Sequence, residues 1–187
     1  MYHSTGLITV RTGSSRLPGK CLLKIQNKKI IECVLERALN AEIEPILCTT
    51  KLKEDDILQE IANEYSIKCF RGSVENKIKR WADCSEKFKL NQFHTIDADD
   101  PFFDTELVKK SMELLICKNL DFVKPSNYSC NGAGSVGYSF SSKFIKSLDI
   151  SNDDSSDTEM IEPFIKSKKT HIQNKLMRFN YWIIKLD

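Results

Sequence analysis

The sequence of 187 residues lacks several features that would assign it to a special class of protein. No apolar run approaches the roughly 20 residues that a helix needs to cross a bilayer, so we expect no membrane span. The segment Met1–Thr5 lacks the basic stretch and apolar segment of a secretory signal, and we therefore expect a cytoplasmic protein. A net charge of only +2 argues against the concentrated basic face of a nucleic-acid-binding protein.

The cysteines lack the spacing of a metal site. Seven are scattered along the chain without a Cys-x-x-Cys pair, whereas zinc ligands cluster at short intervals. Most of them lie in apolar stretches, such as Ile46–Cys48 and Leu115–Cys117. We therefore interpret them as reduced and partly buried thiols.

Strand and helix patterns alternate through the first two thirds of the chain. Short β-rich runs alternate with segments whose apolar residues recur at helical spacing. The predicted strands lie at 6–10, 45–50, 67–70, 92–96 and 121–124, and the predicted helices at 30–39, 55–65, 78–88 and 104–115. This order predicts a three-layer α/β fold in which helices flank a mainly parallel sheet.

The pattern changes after Pro125. Residues 126–136 and 151–156 are polar and typical of loops, whereas 176–186 is predicted to be extended again. We find neither an internal repeat nor a low-complexity tract. The sequence therefore predicts one domain over residues 1–187, with a regular core at 1–124 and a more elaborate part at 125–187.

The loop after the first predicted strand, Arg11–Lys20, carries the clearest chemical signal. Glycines that permit close backbone approach are combined with hydroxyl groups and three cations. These residues are Gly13 and Gly19, Ser14 and Ser15, and Arg11, Arg16 and Lys20. Backbone N–H groups together with fixed cations suit a triphosphate, and the alternative is a solvated basic loop. The Gly-x-x-x-x-Gly-Lys-Ser/Thr pattern of a P-loop is absent.

A second candidate loop follows the strand predicted at 92–96. Asp97, Asp99 and Asp100 are clustered there, and carboxylates at a strand end repel one another unless a cation or strong donors offset the charge. In open parallel sheets, ligands bind beyond such strand ends. The alternative for Asp97 or Asp100 is an acidic turn that caps the next helix.

The segment Arg-x-Gly-Ser-Ser-Arg-Leu-Pro-Gly-Lys at 11–20 resembles the signature of the cytidylyltransferases that activate acidic sugars. The similarity is closest to the enzymes of spore-coat polysaccharide synthesis and more distant to the Kdo and acylneuraminate enzymes. It extends to Cys48–Thr50, Glu54–Asp56, Phe70–Ser73 and Arg80–Trp81. It covers residues 6–124 well and the remainder loosely.

The resemblance implies a Rossmann-like fold of the nucleotide-diphospho-sugar transferase type. It also implies transfer of CMP from CTP to an acidic acceptor with release of pyrophosphate, in the synthesis of a surface polysaccharide or glycoconjugate precursor. The acceptor would be a sugar acid, a sugar phosphate or a phosphonate. Residues 1–124 would then bind the nucleotide, and 125–187 would bind the acceptor and could form a homodimer contact.

The resemblance also assigns roles to individual residues. Magnesium would bind Asp99, in a turn that the family writes Gly-Asp-x-Pro and where Ala98 replaces the glycine. A second metal-binding Asp follows a late strand in the family, and Asp187 matches it. Arg11, Arg16, Lys20 and Asp99 would be catalytic. The nucleotide site would comprise Arg11, Gly13, Ser14, Ser15, Arg16, Gly19, Lys20, Thr49, Arg71 and Arg80, with both Arg71 and Arg80 able to meet the acceptor's charge.

Two other functions are compatible with parts of the sequence. Asp97-Ala98-Asp99 matches the Asp-x-Asp with which metal-dependent glycosyltransferases hold a nucleotide sugar, although such enzymes do not need the cationic loop. A paralogue that binds nucleotide without turnover is the other alternative. The Gly-x-Gly-x-x-Gly at 132–137 is not interpreted as a dinucleotide fingerprint, because no helix is expected directly after it.

Overall fold

Strands and helices alternate along the described part of the chain, which comprises residues 4–13, 17–125, 137–148, 161–167 and 181–184 of a computed structural model. The strands are β1 (Ser4–Thr9), β2 (Lys24–Ile25), β3 (Lys28–Lys29), β4 (Ile43–Thr50), β5 (Lys68–Gly72), β6 (Gln92–Asp97), β7 (Phe122–Pro125), β8 (Ser139–Ser141) and β9 (Tyr181–Ile184). The helices are α1 (Ile30–Asn40), α2 (Asp56–Glu64), α3 (Lys77–Lys87), α4 (Thr105–Cys117), α5 (Ser142–Leu148) and α6 (Glu162–Ser167). Every strand and helix predicted between residues 6 and 124 is therefore present.

Seven of these strands form one sheet in the order β5-β4-β1-β6-β8-β7-β9. The neighbours β5, β4, β1 and β6 are parallel, whereas β8 is antiparallel to both β6 and β7. It follows that β7 runs in the direction of β6, and only β8 and β9 run against the other five strands. The predicted α/β fold with a mainly parallel sheet is confirmed.

The apolar residues of the strands alternate between the two faces of the sheet. Leu7 on β1 packs with Trp81 of α3 on one face, whereas Ile8 packs with Ile31 of α1 on the other. On α1 the buried residues recur at helical spacing, which lets one side of the helix cover the sheet. The two clusters lie on opposite faces of the sheet, between its strands and the helices that cover each face.

Three strands, β2, β3 and β8, were not predicted from the sequence. The hairpin of β2 and β3 forms a separate two-stranded sheet, and its strands are only two residues long. Strand β8 directly follows the Gly-x-Gly-x-x-Gly segment, of which Gly137 is described, so no helix begins there. In the described residues, no helix has the length and apolar character that a membrane span requires.

The cysteines within the described residues are all free thiols. Cys21, Cys48 and Cys84 are buried, as expected of side chains in apolar segments. Burial raises the pKa of Cys21 and of Cys69 to about 11. These two thiols are therefore protonated at neutral pH and are poor nucleophiles.

A series of three buried polar side chains connects α4 with the sheet. The ring Nδ1 of His94 lies 2.7 Å from Ser139 Oγ, which in turn lies 2.6 Å from Ser111 Oγ. All three side chains are buried. Burial lowers the pKa of His94 to about 3, because the interior disfavours the charged imidazolium.

We predict that His94 makes the fold sensitive to acid. The unfolded chain takes up a proton on this histidine as the pH falls through about 6.5, whereas the folded chain keeps the ring neutral down to about pH 3. Between these values the free energy of unfolding therefore falls with falling pH, by up to about 1.4 kcal/mol per pH unit. His94→Asn keeps a polar group beside Ser139 and removes this proton uptake.

Urea unfolding of the wild type and of His94→Asn, followed from about pH 7 to about pH 4.5, measures the difference. We expect the wild type to lose about 2 kcal/mol more than the variant over this range, although the variant starts from a lower stability. Carboxylates contribute equally to both proteins, so they cancel in the comparison. Parallel pH profiles would contradict the prediction.

Candidate active site

The site lies where the carboxyl ends of β1, β4 and β6 meet. After β1 the chain passes through α1 to β4 and through α2 to the edge strand β5, and α3 then returns it to β6 on the other side of β1. The direction of winding thus reverses between β1 and β6. In open parallel sheets a crevice forms at such a reversal, beyond the carboxyl ends of the strands.

The loop after β1 is closed on itself by backbone hydrogen bonds. The N–H of Gly19 donates to the carbonyl of Thr12 at 2.8 Å, which joins the two ends of the loop. Gly19 has φ of 69°, in the left-handed region that glycine adopts readily, and the single 3₁₀ turn Lys20–Leu22 follows it. This turn sets the position from which the Lys20 side chain leaves the backbone.

Lys20 connects this loop with the acidic turn after β6. Its Nζ lies 2.5 Å from Asp99 Oδ2, and the two side chains are 43% and 47% exposed. The two residues are 79 positions apart in the chain. The fold therefore brings together one cation and one carboxylate that sequence analysis had assigned to the same site from separate loops.

Arg11 and Gly13 lie at the start of the same loop. The guanidinium of Arg11 is 3.8 Å from the carboxylate of Glu75, in the loop between β5 and α3. A Cβ placed on Gly13 would lie 2.6 Å from Glu54 Oε1, so the loop runs close to the segment after β4 at this point. Ser14, Ser15 and Arg16 lie outside the described residues.

Arg71 braces the segment that follows β4. Its Nε donates to the carbonyl of Thr50 at 3.0 Å and its Nη2 to that of Leu52 at 2.7 Å. Its Nη1 pairs with Asp56 Oδ1 at 2.6 Å. The arginine that was predicted to contact nucleotide or acceptor thus contacts the segment after β4 in this structure.

Arg80 is also directed at the backbone. It is only 3% exposed, and its Nη1 donates to the carbonyls of Ser73 and Val74 at 2.6 and 3.3 Å. These contacts fix the loop between β5 and α3. In this structure Arg80 therefore positions this loop, and its contact with a bound anion stays a prediction.

Thr49 lies near the carboxyl end of β4 but does not face solvent. The residue is completely buried, and within the described residues its hydroxyl has no hydrogen-bond partner. The adjacent Thr50 is buried as well, and its hydroxyl donates to Asp55. The expected contact of Thr49 with cytidine would therefore require a rearrangement around this side chain.

The three carboxylates after β6 differ in their surroundings. Asp97 and Asp99 are exposed on either side of the buried Ala98. Asp100 accepts a hydrogen bond from the N–H of Phe102 at 3.0 Å within the turn, whereas the cap of α4 is Asp104, which accepts from the N–H of Leu107 at 3.0 Å. Within the described ranges, no three His, Cys, Asp or Glu side chains are grouped to hold a metal, and Asp187 lies outside those ranges.

The sequence did not reveal the role of one side chain in this region. Asp55 is the first residue of the helix predicted at 55–65, a position where a carboxylate ordinarily caps the helix or meets the positive end of its dipole. It does occupy the residue before α2, but its side chain makes no capping hydrogen bond and is completely buried. Its Oδ1 instead accepts from the N–H and the hydroxyl of Thr12, at 2.8 and 2.7 Å. No local pattern in the sequence distinguishes this arrangement from an ordinary helix start.

The comparisons with known proteins agree on one family. The family model described as cytidylyltransferase matches residues 5–174. An uncharacterized protein of Methanocaldococcus jannaschii is 35% identical over 124 residues, which are 65% of this chain and 51% of that protein. The spore coat polysaccharide biosynthesis protein SpsF of Bacillus subtilis is 25% identical over 136 residues, 70% of this chain and 57% of that protein. The chain thus spans about half the length of these curated relatives.

Comparison of the fold with solved structures agrees with the sequence comparison. A solved structure of a cytidylyltransferase from Leptospira borgpetersenii superposes with a TM-score of 0.72 at 23% identity, covering 89% of this chain and 72% of that one. At this level of identity the likeness concerns the fold. The resemblance read from residues 11–20 is confirmed by the family model, which extends over most of the sequence. This chain belongs to the cytidylyltransferase family.

Proposed function

We propose that this chain transfers CMP from CTP to an anionic acceptor and releases pyrophosphate. The observation that carries the proposal is the 2.5 Å contact between Lys20 and Asp99, which joins the cationic loop after β1 to the acidic turn after β6. Membership of the cytidylyltransferase family supports cytidine as the base. The likeness to a spore coat polysaccharide biosynthesis protein supports a role in making a surface polysaccharide or glycoconjugate precursor.

In this proposal the protein contributes position and charge. An oxygen of the acceptor attacks the α-phosphorus of CTP, and the bond from that phosphorus to the oxygen that bridges it to the β-phosphorus breaks, so that pyrophosphate leaves with this oxygen. Lys20, with Arg11 and Arg16, holds the phosphates and stabilises the negative charge that collects on the leaving pyrophosphate. Gly13 is exposed and has no side chain of its own, so a phosphate oxygen can approach its backbone once the adjacent carboxylate of Glu54 moves aside.

A divalent cation, with magnesium as our choice, fits the acidic turn. Mg²⁺ prefers oxygen ligands and is commonly held by one or two carboxylates together with substrate phosphates. Asp99 offers an exposed carboxylate beside Lys20, and Asp97 is exposed on the same turn. Bound there, the cation would offset negative charge on the phosphates. Asp187 is proposed as a second ligand from the family resemblance alone.

We assign the acceptor to residues 125–187 and the nucleotide to 1–124, within a single domain. Two arginines that could have met an anionic acceptor are occupied elsewhere, since Arg71 donates to backbone carbonyls at the end of β4 and after it, and Arg80 to those of the loop before α3. This leaves the later part of the chain to supply the acceptor contacts. A homodimer contact in the same part is proposed by analogy with the family.

A glycosyltransferase that uses a nucleotide sugar is the second candidate function. It is favoured by one observation, because both carboxylates of Asp97-Ala98-Asp99 are exposed on one turn while Ala98 is buried. A third candidate, a paralogue that binds nucleotide without turnover, would share the nucleotide site and differ only in catalysis. Binding and turnover measurements separate all three.

We predict that Lys20→Ala lowers pyrophosphate release by on the order of a hundredfold, because it removes a fixed charge that stabilises the leaving group. The measurement uses the full chain with CTP, Mg²⁺ and a panel of sugar acids, sugar phosphates and phosphonates. The ion pair is nearly half exposed, so the variant should lose no more than about 1 kcal/mol of stability. Lys28→Ala, which removes an exposed lysine paired with Glu36, is the matched control. Near-normal turnover by Lys20→Ala would rule out the assigned role.

We further predict that Asp99→Asn raises the Mg²⁺ concentration for half-maximal activity by about tenfold or more, since it removes the carboxylate that we assign to the cation. Chelation should abolish wild-type activity, and added Mg²⁺ should restore it. Asp83→Asn, which disrupts an ion pair with Lys79 on α3, should leave the metal requirement unchanged. An unchanged requirement in Asp99→Asn would show that the cation binds elsewhere.

Thermal unfolding distinguishes the first two candidate functions. A ligand present at about 100 times its Kd stabilises the folded state by about 2.7 kcal/mol. For a chain of this size such a change raises Tm by about 5–11 °C. We expect this shift with CTP and Mg²⁺ and no shift with UDP-sugars. The reverse pattern would favour the glycosyltransferase, and a shift with CTP but no turnover on any acceptor would favour the non-catalytic paralogue.

A further inference from the structure

The described residues contain one buried carboxylate, and the proposed reaction does not use it. Asp55 is completely buried, at the end of the 3₁₀ turn Lys53–Asp55 that precedes α2. A buried carboxylate is retained only where donors satisfy both of its oxygens. Oδ1 accepts from the N–H and the hydroxyl of Thr12, and Oδ2 accepts from the hydroxyl of Thr50. Three donors from two separate segments thus converge on this side chain.

The contacts with Thr12 lead directly into the cationic loop. Thr12 is the second residue of Arg11–Lys20, and its carbonyl accepts the N–H of Gly19 at 2.8 Å. Gly19 precedes Lys20, whose Nζ reaches Asp99. A continuous series of short contacts therefore runs from Asp55 through Thr12 and Gly19 to the cation of the site.

The contact with Thr50 fixes the other end of the arrangement. Thr50 is the last residue of β4, whose parallel pairing with β1 and β5 holds it in place. Its hydroxyl also accepts the N–H of Leu52 at 3.2 Å, so the segment from β4 to Asp55 is a closed turn. The carboxylate thereby links Thr12 to β4, a strand that is paired on both of its edges.

We propose that Asp55 is a positioning residue of the nucleotide site, which holds Thr12 and, through it, Gly19 and Lys20 in place before CTP arrives. The inference rests on the proposed CTP site. The acidic side chain does not touch the nucleotide. It acts through Thr12. Because Thr12, Gly19 and Lys20 are already held in place, less of the binding energy of CTP is used to order them.

The first test is the binding of CTP with Mg²⁺, measured by titration calorimetry on the full chain. We expect Asp55→Ala to raise the Kd of CTP by about tenfold or more. Thr12→Val, which keeps the N–H but loses the hydroxyl, should raise it less, and Thr12→Ser should restore it toward the wild-type value. Ser111→Ala removes a buried hydrogen bond between α4 and β8 and serves as the control for general destabilisation.

A split between the two substrates separates positioning from a merely structural role. With an acceptor found in the pyrophosphate screen, Asp55→Ala should raise the KM for CTP and leave the KM for the acceptor within about twofold. Loss of folded protein alone would lower the apparent kcat and leave both KM values unchanged. Should Asp55→Ala fail to fold, Asp55→Asn and Thr12→Val carry the same comparison with a milder loss.

Amide hydrogen exchange tests the link to the loop without any ligand. In Asp55→Ala the amides of Thr12 and Gly19 should exchange about tenfold faster or more, while that of Val10, bonded to the carbonyl of Cys48, should not change. A wild-type chain that neither binds CTP nor releases pyrophosphate would overturn the proposed function, and the exchange rates would still decide whether Asp55 orders the loop. Unchanged exchange, or an unchanged Kd for CTP in Asp55→Ala, would overturn the inference.

Discussion

The parallel pairing of β1 on both of its edges is the constraint on which the site depends. Leu7 lies opposite Ile46 of β4 on one side and Thr95 of β6 on the other, and both pairings continue to Thr9. Since all three strands run the same way, their following loops emerge at one edge of the sheet. Lys20 and Asp99 can therefore meet although 79 positions separate them. Any change of register in β1 would displace one loop against the other.

At this edge the polar side chains mostly support loop backbone. Arg71 and Arg80 donate to carbonyls after β4 and β5, and the indole Nε1 of Trp81 donates to Thr9 Oγ1 at 2.8 Å. Loops that leave a sheet carry backbone groups without ladder partners, and such groups are costly when they are buried unsatisfied. Side chains that satisfy them hold the loops in one conformation. The few exposed groups, chiefly Lys20 and Asp99, are then presented from a fixed frame.

Most of the fold could be predicted from the sequence because the buried residues of its longer elements recur at a regular spacing. On α1, for example, they recur at helical spacing. The hairpin β2–β3 was missed because its two-residue strands are too short and too exposed to show a period. Strand β8 was missed because its place depends on pairing with distant β6 and β7. At the candidate site, residue types at strand ends predicted that the loops after β1 and β6 lie together, and Lys20 and Asp99 are in contact there. The roles of Asp55 and Arg80 depend on which atoms they meet in three dimensions, which residue type does not reveal.

Three cations around the candidate site each lie within 4 Å of a carboxylate, and under the proposed function this pairing favours one form of CTP, free or bound to a metal, over the other. The pairs are Lys20 with Asp99, Arg11 with Glu75 and Arg71 with Asp56. A triphosphate without a cation would have to take Lys20 from Asp99 and leave that carboxylate facing its own negative charge. A triphosphate that carries Mg²⁺ offers an anion to Lys20 and a cation to Asp99, so one ion pair is exchanged for two. Because the pair is nearly half exposed, separating it costs only about 1 kcal/mol, and the exchange favours the metal-bound nucleotide over the free one.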